Sequence, residues 1–273
     1  AFTMLRSPNT DEHSIIVLGE PLSGKSYFSE TVAREVSKGK TIKIQPPVNG
    51  STEKSDLIRT LQKQLKSATK SGSILKEAPR GSVFIIEDLE LWWDRSKPDG
   101  KLIRFIVKLI NRYQSQFSFI INCNVYAFRI MQGQGLLNHL TASRIFLRNF
   151  DATAMRHLLL QRHDAGGLTL TLKGKIQEEI SNKNFRKLMD KFQESSNGIV
   201  GIALHQWIGN IREYQEDLVA IDFPQEQSLP RLADKELLVI LSQFLIHKHM
   251  DATRLQKLFG YADRSQADRI IAQ

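Results

Sequence analysis

The stretch SIIVLGEPLSGKSYF, residues 14–28, joins a short apolar run to a loop of small residues that ends in a lysine and a serine. The run at 15–18 has the length and continuity of a fully buried parallel strand. After Ser26 the apolar residues return at helical spacing, at Phe28, Val32, Ala33 and Val36. The sequence therefore predicts a strand, a tight loop and a helix in immediate succession.

The loop itself fits the spacing G-x-x-x-x-G-K-[ST], which is typical of loops that bind the phosphates of a nucleotide. In such loops successive backbone N–H groups converge on one point in front of a helix N-terminus. We predict that Lys25 reaches the β- and γ-phosphates and that Ser26 gives an oxygen to Mg²⁺. The predicted nucleotide-binding residues are Gly19, Glu20, Pro21, Leu22, Ser23, Gly24, Lys25, Ser26 and Tyr27.

A second motif, SVFIIEDLELWW at 82–93, places two acidic residues directly after another apolar run. Its first part predicts a buried strand that carries Glu87 and Asp88 at its carboxyl end, the edge where open parallel sheets bind ligands. We expect Glu87 to serve the Mg²⁺ shell and Asp88 to polarise an attacking water. The residues alone leave the reverse assignment of these two roles open.

Strand and helix signals alternate through the first 150 residues. The predicted strands are 14–18, 41–45, 82–87, 117–122 and 144–148, and the predicted helices are 25–38, 53–65, 101–113 and 126–139. Alternation of this kind predicts a parallel sheet of five strands covered on both faces, an α/β fold. We further expect Ser51 and Thr52 to cap the second helix, 67–81 to form a mobile loop, and Trp92 and Trp93 to pack beneath that loop.

Helical patterns predominate after Asp151. They predict helices at 152–163, 173–180, 184–194 and 201–214, and three more at 234–250, 252–259 and 265–273. A linker-like stretch around 222–230 separates the two groups. We therefore expect a nucleotide-binding α/β domain at 1–150, a helical domain at 151–224 and a three-helix unit at 225–273.

Composition narrows the class of protein. The single cysteine, Cys123, excludes a disulfide framework and a Cys-based metal site, and His157, His163, His247 and His249 lack the spacing of metal ligands. The 38 Lys and Arg residues exceed the 29 Asp and Glu residues, and the resulting net charge of +9 favours an acidic partner.

No apolar run approaches the length of a membrane span, and no signal peptide is visible. We expect a cytoplasmic location, with membrane attachment through flanking segments left open.

Together these motifs resemble the AAA+/STAND division of P-loop ATPases. GEPLSGKS resembles the Walker A motif of that group, VFIIED resembles its Walker B motif, and SNGIVGIAL is similar to a motif of its lid. The resemblance implies a P-loop sheet of the ASCE/AAA+ type, a helical lid at 151–224 and a winged-helix-like unit at 225–273. It also implies ATP and Mg²⁺ as cofactors and an ATPase that couples nucleotide state to conformational change or assembly.

The resemblance implies further site residues. In this group the strand after Walker B ends in a polar sensor, and FSFIINCN ends in Asn122 and Asn124. The stretch LTASRIFLRNF places Arg144, with Arg148 as the alternative, where the group carries an arginine that reaches the nucleotide of a neighbouring subunit. This arginine implies a homo-oligomer. The chain departs from the group's pattern because Glu87 replaces the usual Asp, Leu22 replaces the middle glycine, and the lid motif lacks a second-sensor arginine.

Two other functions remain open from the sequence. A DNA-associated ATPase of the origin-recognition or transposition-targeting kind fits the basic charge and the C-terminal helices, where Arg264, Gln266 and Arg269 are expected on the exposed side. A scaffold that binds a nucleotide without hydrolysing it fits the same motifs. The sequence does not distinguish ATP from other nucleoside triphosphates, and it does not name a protein partner.

Overall fold

The computed structural model describes residues 13–47, 52–69, 72–94, 99–215, 217–225, 235–247, 252–260, 265 and 268. The chain divides into two compact units. The first consists of 1–21, 25–147 and 232–273, and the second of 22–24 and 148–231. Each unit has its own hydrophobic core.

A five-stranded sheet forms the centre of the first unit. Its strands are β1 (Ser14–Gly19), β2 (Thr41–Ile44), β3 (Val83–Ile86), β4 (Ser118–Asn124) and β5 (Ser143–Phe146). They lie in the order β2-β3-β4-β1-β5, and every neighbouring pair is parallel. The predicted α/β fold with a five-stranded parallel sheet is therefore confirmed.

Helices cover both faces of this sheet. They are α1 (Lys25–Val36), α2 (Lys54–Leu65), α3 (Lys101–Tyr113) and α4 (Val125–Gly133). Alternate side chains of β1 belong to different cores, since Ile16 and Leu18 pack with α2, α3 and α4 while Ile15 and Val17 pack with α1. All of β1 is buried. This explains why the strand is a continuous apolar run rather than an alternating one.

Three local predictions in this unit are corrected by the structure. The stretch predicted as a mobile loop contains a 3₁₀ helix, Gly72–Glu77, in which Ile74 and Leu75 are fully buried. Glu53 rather than Ser51 or Thr52 occupies the N-cap of α2, and Ser51 lies outside the described residues. The fourth helix ends at Gly133, well before 139. Burial of Ile74 and Leu75 outweighs the turn-forming composition around them.

Trp92 and Trp93 are both buried, as the packing interpretation predicts. They belong to the same core cluster as Ile74 and Leu75. Their burial anchors the segment that follows Glu87 and Asp88 in the first unit.

The second unit contains a sheet in addition to the helices predicted for 151–224. Its helices are α5 (Ala152–Asp164), α6 (Asn182–Ser195) and α7 (Val200–Gly209). Its strands are β6 (Thr169–Leu172), β7 (Lys175–Ile176), β8 (Ile211–Gln215) and β9 (Leu218–Ile221), and they form one sheet in the order β7-β6-β9-β8. The sheet is mixed, because β6 and β9 are parallel and the two outer pairs are antiparallel.

One predicted helix is absent and another is shorter than predicted, both for identifiable reasons. At 173–180 the spacing of Ile176 and Ile180 resembles a helix, but Lys173 and Gly174 have φ values of 52° and 75° and turn the chain back into β7. At 201–214 the helix stops at Gly209, and Ile211 begins a strand that pairs with β9. Chain reversal and strand pairing override the helical periodicity in both places.

Two further helices, α8 (Lys235–His247) and α9 (Ala252–Phe259), group with the first unit. Ile246 of α8 is buried in the core cluster that contains Trp92. Of the third helix predicted for this segment, 265–273, the structure describes only residues 265 and 268. Arg264, Gln266 and Arg269 lie outside the described residues. The winged-helix-like unit and the division into three domains stay predictions.

Candidate nucleotide-binding site

The loop between β1 and α1 has the backbone conformation that its small residues favour. Gly24 has a φ of 89°, in the left-handed region, and Leu22 adopts a φ of 62° although it has a Cβ atom. A left-handed residue that is not glycine costs about 1–2 kcal/mol. The loop therefore keeps a strained backbone at Leu22, the position where the resembling group has glycine.

Lys25 starts α1, and its side chain stays within the loop. It is only 6% exposed, and its ammonium donates to the carbonyl oxygens of Gly19 at 3.2 Å and of Glu20 at 2.7 Å. The predicted phosphate-binding lysine is therefore placed beside the backbone of the loop that precedes it. Ser26 follows on the first turn of α1, and Tyr27 is largely exposed.

A chain of hydrogen bonds fixes Glu87 at the end of β3. The Ser26 hydroxyl donates to Glu87 Oε2 at 2.9 Å, and the Asn122 amide donates to the same oxygen at 2.8 Å. The Ser29 hydroxyl in turn donates to Asn122 Oδ1 at 2.6 Å. The network joins α1, β3 and β4, so the two predicted Mg²⁺ ligands, Ser26 and Glu87, lie in direct contact.

Asn122 sits behind Glu87 in this network. It is fully buried, and its amide oxygen and nitrogen contact Ser29 and Glu87 respectively. Asn124 lies two residues further along β4, level with Gly19 of β1, and its side chain accepts the backbone N–H of Tyr126 to cap α4. The structure therefore brings Asn122 to the carboxylate of Glu87 and Asn124 to the start of a helix.

Lys43 of β2 is a neighbour of Glu87 that the sequence analysis missed. Its ammonium lies 3.4 Å from Glu87 Oε1 and 2.5 Å from Glu30 Oε1. Burial alone lowers the pKa of Lys43, but Glu30 and Glu87 outweigh it and the pKa is raised. The contact arises because β2 pairs with β3, a strand order that the sequence did not provide.

Asp88 occupies a different environment from Glu87. It is partly exposed and has a φ of 47°, and it opens a 3₁₀ helix, Leu89–Trp92. The indole N–H of buried Trp92 donates to the carbonyl oxygen of Glu87 at 3.2 Å. This turn fixes the backbone on either side of Asp88, with Glu87 buried against Ser26 and Asp88 on the more open side.

Glu90 is a third carboxyl group close to this turn, and it was also missed. It is fully buried, its Oε2 accepts the backbone N–H of Asn124 at 3.0 Å, and its Oε1 has no hydrogen-bond partner among the described residues. Burial and the charge of Asp88 raise its pKa to about 7 against the opposing effects of Asn124 and Lys25. The available signal was an acidic residue within the otherwise apolar LELWW. Burial, together with Glu90, also raises the pKa of Cys123.

The two predicted arginines lie on or just after the edge strand of the sheet. Arg144 is exposed within β5, with its guanidinium carbon 5.2 Å from the centre of the Phe128 ring. Arg148 is exposed shortly after the strand ends. An exposed edge position is accessible to another chain, and the trans-acting role of either arginine stays a prediction.

Other chemical sites find little support in the part of the chain that the structure describes. Within the described ranges no group of three or more His, Cys, Asp or Glu residues is arranged to hold a metal ion. His163 is buried edge-on to Trp207, and burial lowers its pKa. Among the same residues, none of the helices has both the length and the apolar character needed to cross a bilayer.

Comparison with known proteins gives a likeness in structure only. No family model and no curated protein matches the chain. The ORC2 protein of Aeropyrum pernix in ADPNP-ADP complexes matches with a TM-score of 0.51 and 10% identity, over 76% of this chain and 59% of that one. A RuvB variant of Thermotoga maritima matches with a TM-score of 0.46 and 12% identity, over 75% of this chain and 55% of that one.

PCH-2 of C. elegans matches with a TM-score of 0.47 and 11% identity, over 79% of this chain and 59% of that one. The chain thus spans less than two thirds of the length of these structures. At such identities the likeness concerns the fold, and the argument rests on the ORC2 match. With its parallel sheet in the order β2-β3-β4-β1-β5, the chain has the α/β fold of the AAA+ P-loop ATPases.

Proposed function

We propose that this protein binds ATP with Mg²⁺, hydrolyses it, and uses the nucleotide state as a switch for conformational change or assembly. The observation that carries the proposal is the 2.9 Å hydrogen bond between Ser26 Oγ and Glu87 Oε2, next to Lys25 at the foot of a glycine-containing loop. These residues lie 61 positions apart in sequence and meet at the carboxyl edge of a parallel sheet, where such folds bind ligands.

The donor set fits Mg²⁺. Ser26 and Glu87 offer hard oxygen ligands, which that ion prefers, and Ser26 and Asn122 both donate to Glu87 Oε2 rather than to Oε1. Mg²⁺ supplies charge neutralisation at the phosphates when it is bound. Lys25 adds a cation at the β- and γ-phosphates, and Asn122 keeps the Glu87 carboxylate oriented toward Ser26.

The same geometry favours Asp88 as the residue that handles the attacking water. Glu87 is held by Ser26 and Asn122, whereas Asp88 is partly exposed at the start of the 3₁₀ helix Leu89–Trp92. Its carboxylate would orient the water and accept its proton at a carboxylate oxygen. Arg144 would complete the site from a neighbouring copy, where a guanidinium stabilises negative charge that develops on the transferred phosphoryl group.

The test is ATP binding and steady-state ATP hydrolysis by the 273-residue protein, compared with Lys25→Ala. We expect Lys25→Ala to abolish nucleotide binding in a calorimetric titration, because it removes the cation at the phosphates. Lys63→Ala is the matched control, since Lys63 is an exposed lysine on α2. Unchanged ATP affinity in Lys25→Ala would overturn the site, and ATP binding without turnover would instead identify a nucleotide-gated scaffold.

The charge distribution favours DNA association as a second candidate function. Residues 148–231 contain equal numbers of acidic and basic residues, so the net charge of +9 belongs to the rest of the chain. Binding of DNA phosphates by an excess of basic residues weakens steeply as the salt concentration rises. Measuring the affinity for labelled duplex DNA from low to high salt tests this second function, and the absence of binding at low salt would reject it.

A further inference from the structure

A surface cavity of about 410 Å³ lies in the second unit and involves none of the residues assigned to nucleotide. This volume falls within the roughly 300–1,000 Å³ typical of ligand pockets. Its floor is apolar and continuous with the core of that unit, since Leu172 and Ile180 are buried core residues and half-buried Phe223 packs against them. Buried Pro224 completes the floor.

Four lysines form the rim of this cavity, which we call the lysine-rimmed pocket. Lys173 lies in the turn between β6 and β7, Lys175 begins β7, and Lys187 and Lys191 lie one turn apart on α6. Among the described residues, no carboxylate lines the pocket. Lys191 pairs with Glu194 at 3.2 Å, whereas the other three make no ion pair within the same part of the chain.

Gathering these lysines is unfavourable unless an anion balances the three that make no ion pair among the described residues. Like charges at positions i and i+4 of a helix, such as Lys187 and Lys191, destabilise it by about 0.2–0.5 kcal/mol. Lys173 and Lys175 add to the positive potential at the rim. The cluster is not a consequence of an overall excess of base, because residues 148–231 are balanced in acids and bases. A ligand with negative charge at the rim would reduce the repulsion among the lysines, and apolar surface on the same ligand would cover the apolar floor.

We propose that the lysine-rimmed pocket binds an acidic peptide segment of a partner protein, with a large apolar side chain on the floor and flanking Asp or Glu side chains at the lysines. An apolar centre within a polar rim is the usual arrangement of a protein–protein contact, and here the rim is positively charged. This inference is independent of the proposed ATPase, because none of its residues belongs to the phosphate loop or to the Glu87 network.

A nucleic acid fits the pocket less well. Bases bind to such surfaces by stacking on an open aromatic face. The Phe223 ring packs against the core of its unit, and the Lys173 ammonium lies 5.8 Å from the ring centre. As far as the structure describes the chain, the rim also lacks arginine, the residue whose planar fork suits phosphate recognition best.

The experiment measures binding of an array of short synthetic peptides to the 273-residue protein. The peptides vary one central residue among Phe, Leu and Ser, and flank it with Glu, Gln or Lys. We expect binding only where Glu flanks Phe or Leu. The double variant Lys187→Gln/Lys191→Gln should weaken that binding roughly three- to tenfold, from the loss of two rim ion pairs.

The control variant is Lys183→Gln/Arg186→Gln, which removes two exposed charges from the same helix but outside the pocket. It should leave peptide affinity unchanged, and ATP affinity measured in the same samples should be unchanged in both variants. Equal weakening by the control would overturn the proposal, and so would binding that ignores the central residue. Lysine-dependent binding of single-stranded oligonucleotides in place of the peptides would also overturn it and would identify a nucleic-acid site.

Discussion

Ser26 and Glu87 are joined by a 2.9 Å hydrogen bond that connects the first turn of α1 to the end of β3. The bond places a hydroxyl and a carboxylate oxygen side by side next to Lys25. The two neighbouring acidic residues differ in environment, because Glu87 is buried in contact with Ser26 while Asp88 is partly exposed. This difference in environment supports distinct roles for two residues that the sequence could not distinguish.

The first prediction concerns those roles. Asp88→Asn should keep ATP bound and reduce turnover by about 10²–10⁴-fold, because the amide cannot accept a proton from water. Glu87→Gln should instead raise the Mg²⁺ concentration required for tight ATP binding, since it removes a charged ligand. Binding isotherms across a Mg²⁺ series and steady-state hydrolysis separate the two variants. Exchanged phenotypes would mean that the roles of Glu87 and Asp88 are reversed.

The second prediction concerns Lys43, whose ammonium lies 3.4 Å from Glu87 Oε1. A cation at this position opposes a divalent ion that approaches the same carboxylate. Lys43→Met should therefore lower the Mg²⁺ concentration for half-maximal ATP binding several-fold, and the effect should shrink at high salt. Lys40→Met, which alters an exposed lysine just before β2, is the control. A requirement for more Mg²⁺ in Lys43→Met would contradict this interpretation.

Sequence patterns found the parallel sheet because each strand in it is marked locally. Apolar runs such as 15–18 and 83–86 are followed directly by a glycine or an acidic residue, and the helices between them keep a clear period. The second unit gave weaker signals. Its strand Lys175–Ile176 is only two residues long, and its turn depends on the positive φ values of Lys173 and Gly174, which periodicity does not report.

The site was predictable to the extent that it depends on spacing along the chain. Lys25 and Ser26 follow from the loop motif, and Glu87 follows from its position after a buried strand. Lys43 and Glu90 were missed because their importance comes from the order of the strands. β2 lies beside β3 and brings Lys43 to Glu87, whereas β3 lies beside β4 and brings Glu90 to Asn124.

The third prediction concerns Glu90 and the pH dependence of stability. Burial and the charge of Asp88 raise the pKa of Glu90 from 4.5 to about 7. Between these values the folded protein holds a proton that the unfolded chain has lost, so this group lowers the free energy of unfolding as pH rises through that range. Glu90→Gln should therefore stabilise the protein by about 3 kcal/mol at pH 8 and very little near pH 4.5.

Thermal and denaturant unfolding of both proteins at several pH values checks the Glu90 prediction. Glu178→Gln, at an exposed carboxylate of the second unit, is the control and should show no pH-dependent difference of this size. A stability gain in Glu90→Gln that is equal at all pH values would reject titration of Glu90 as the cause.

The last prediction concerns assembly and Arg144, which is exposed on the edge strand β5 beside Phe128. If its guanidinium acts on the nucleotide of a neighbouring copy, ATP should promote self-association and Arg144→Ala should lower turnover without lowering ATP affinity. Mixing Arg144→Ala with Lys25→Ala protein should restore part of the activity, because one supplies the intact pocket and the other the intact arginine. Arg148→Ala tests the alternative residue in the same way. A protein that remains monomeric with ATP over a wide concentration range, as measured by light scattering, would exclude both arginines from this role.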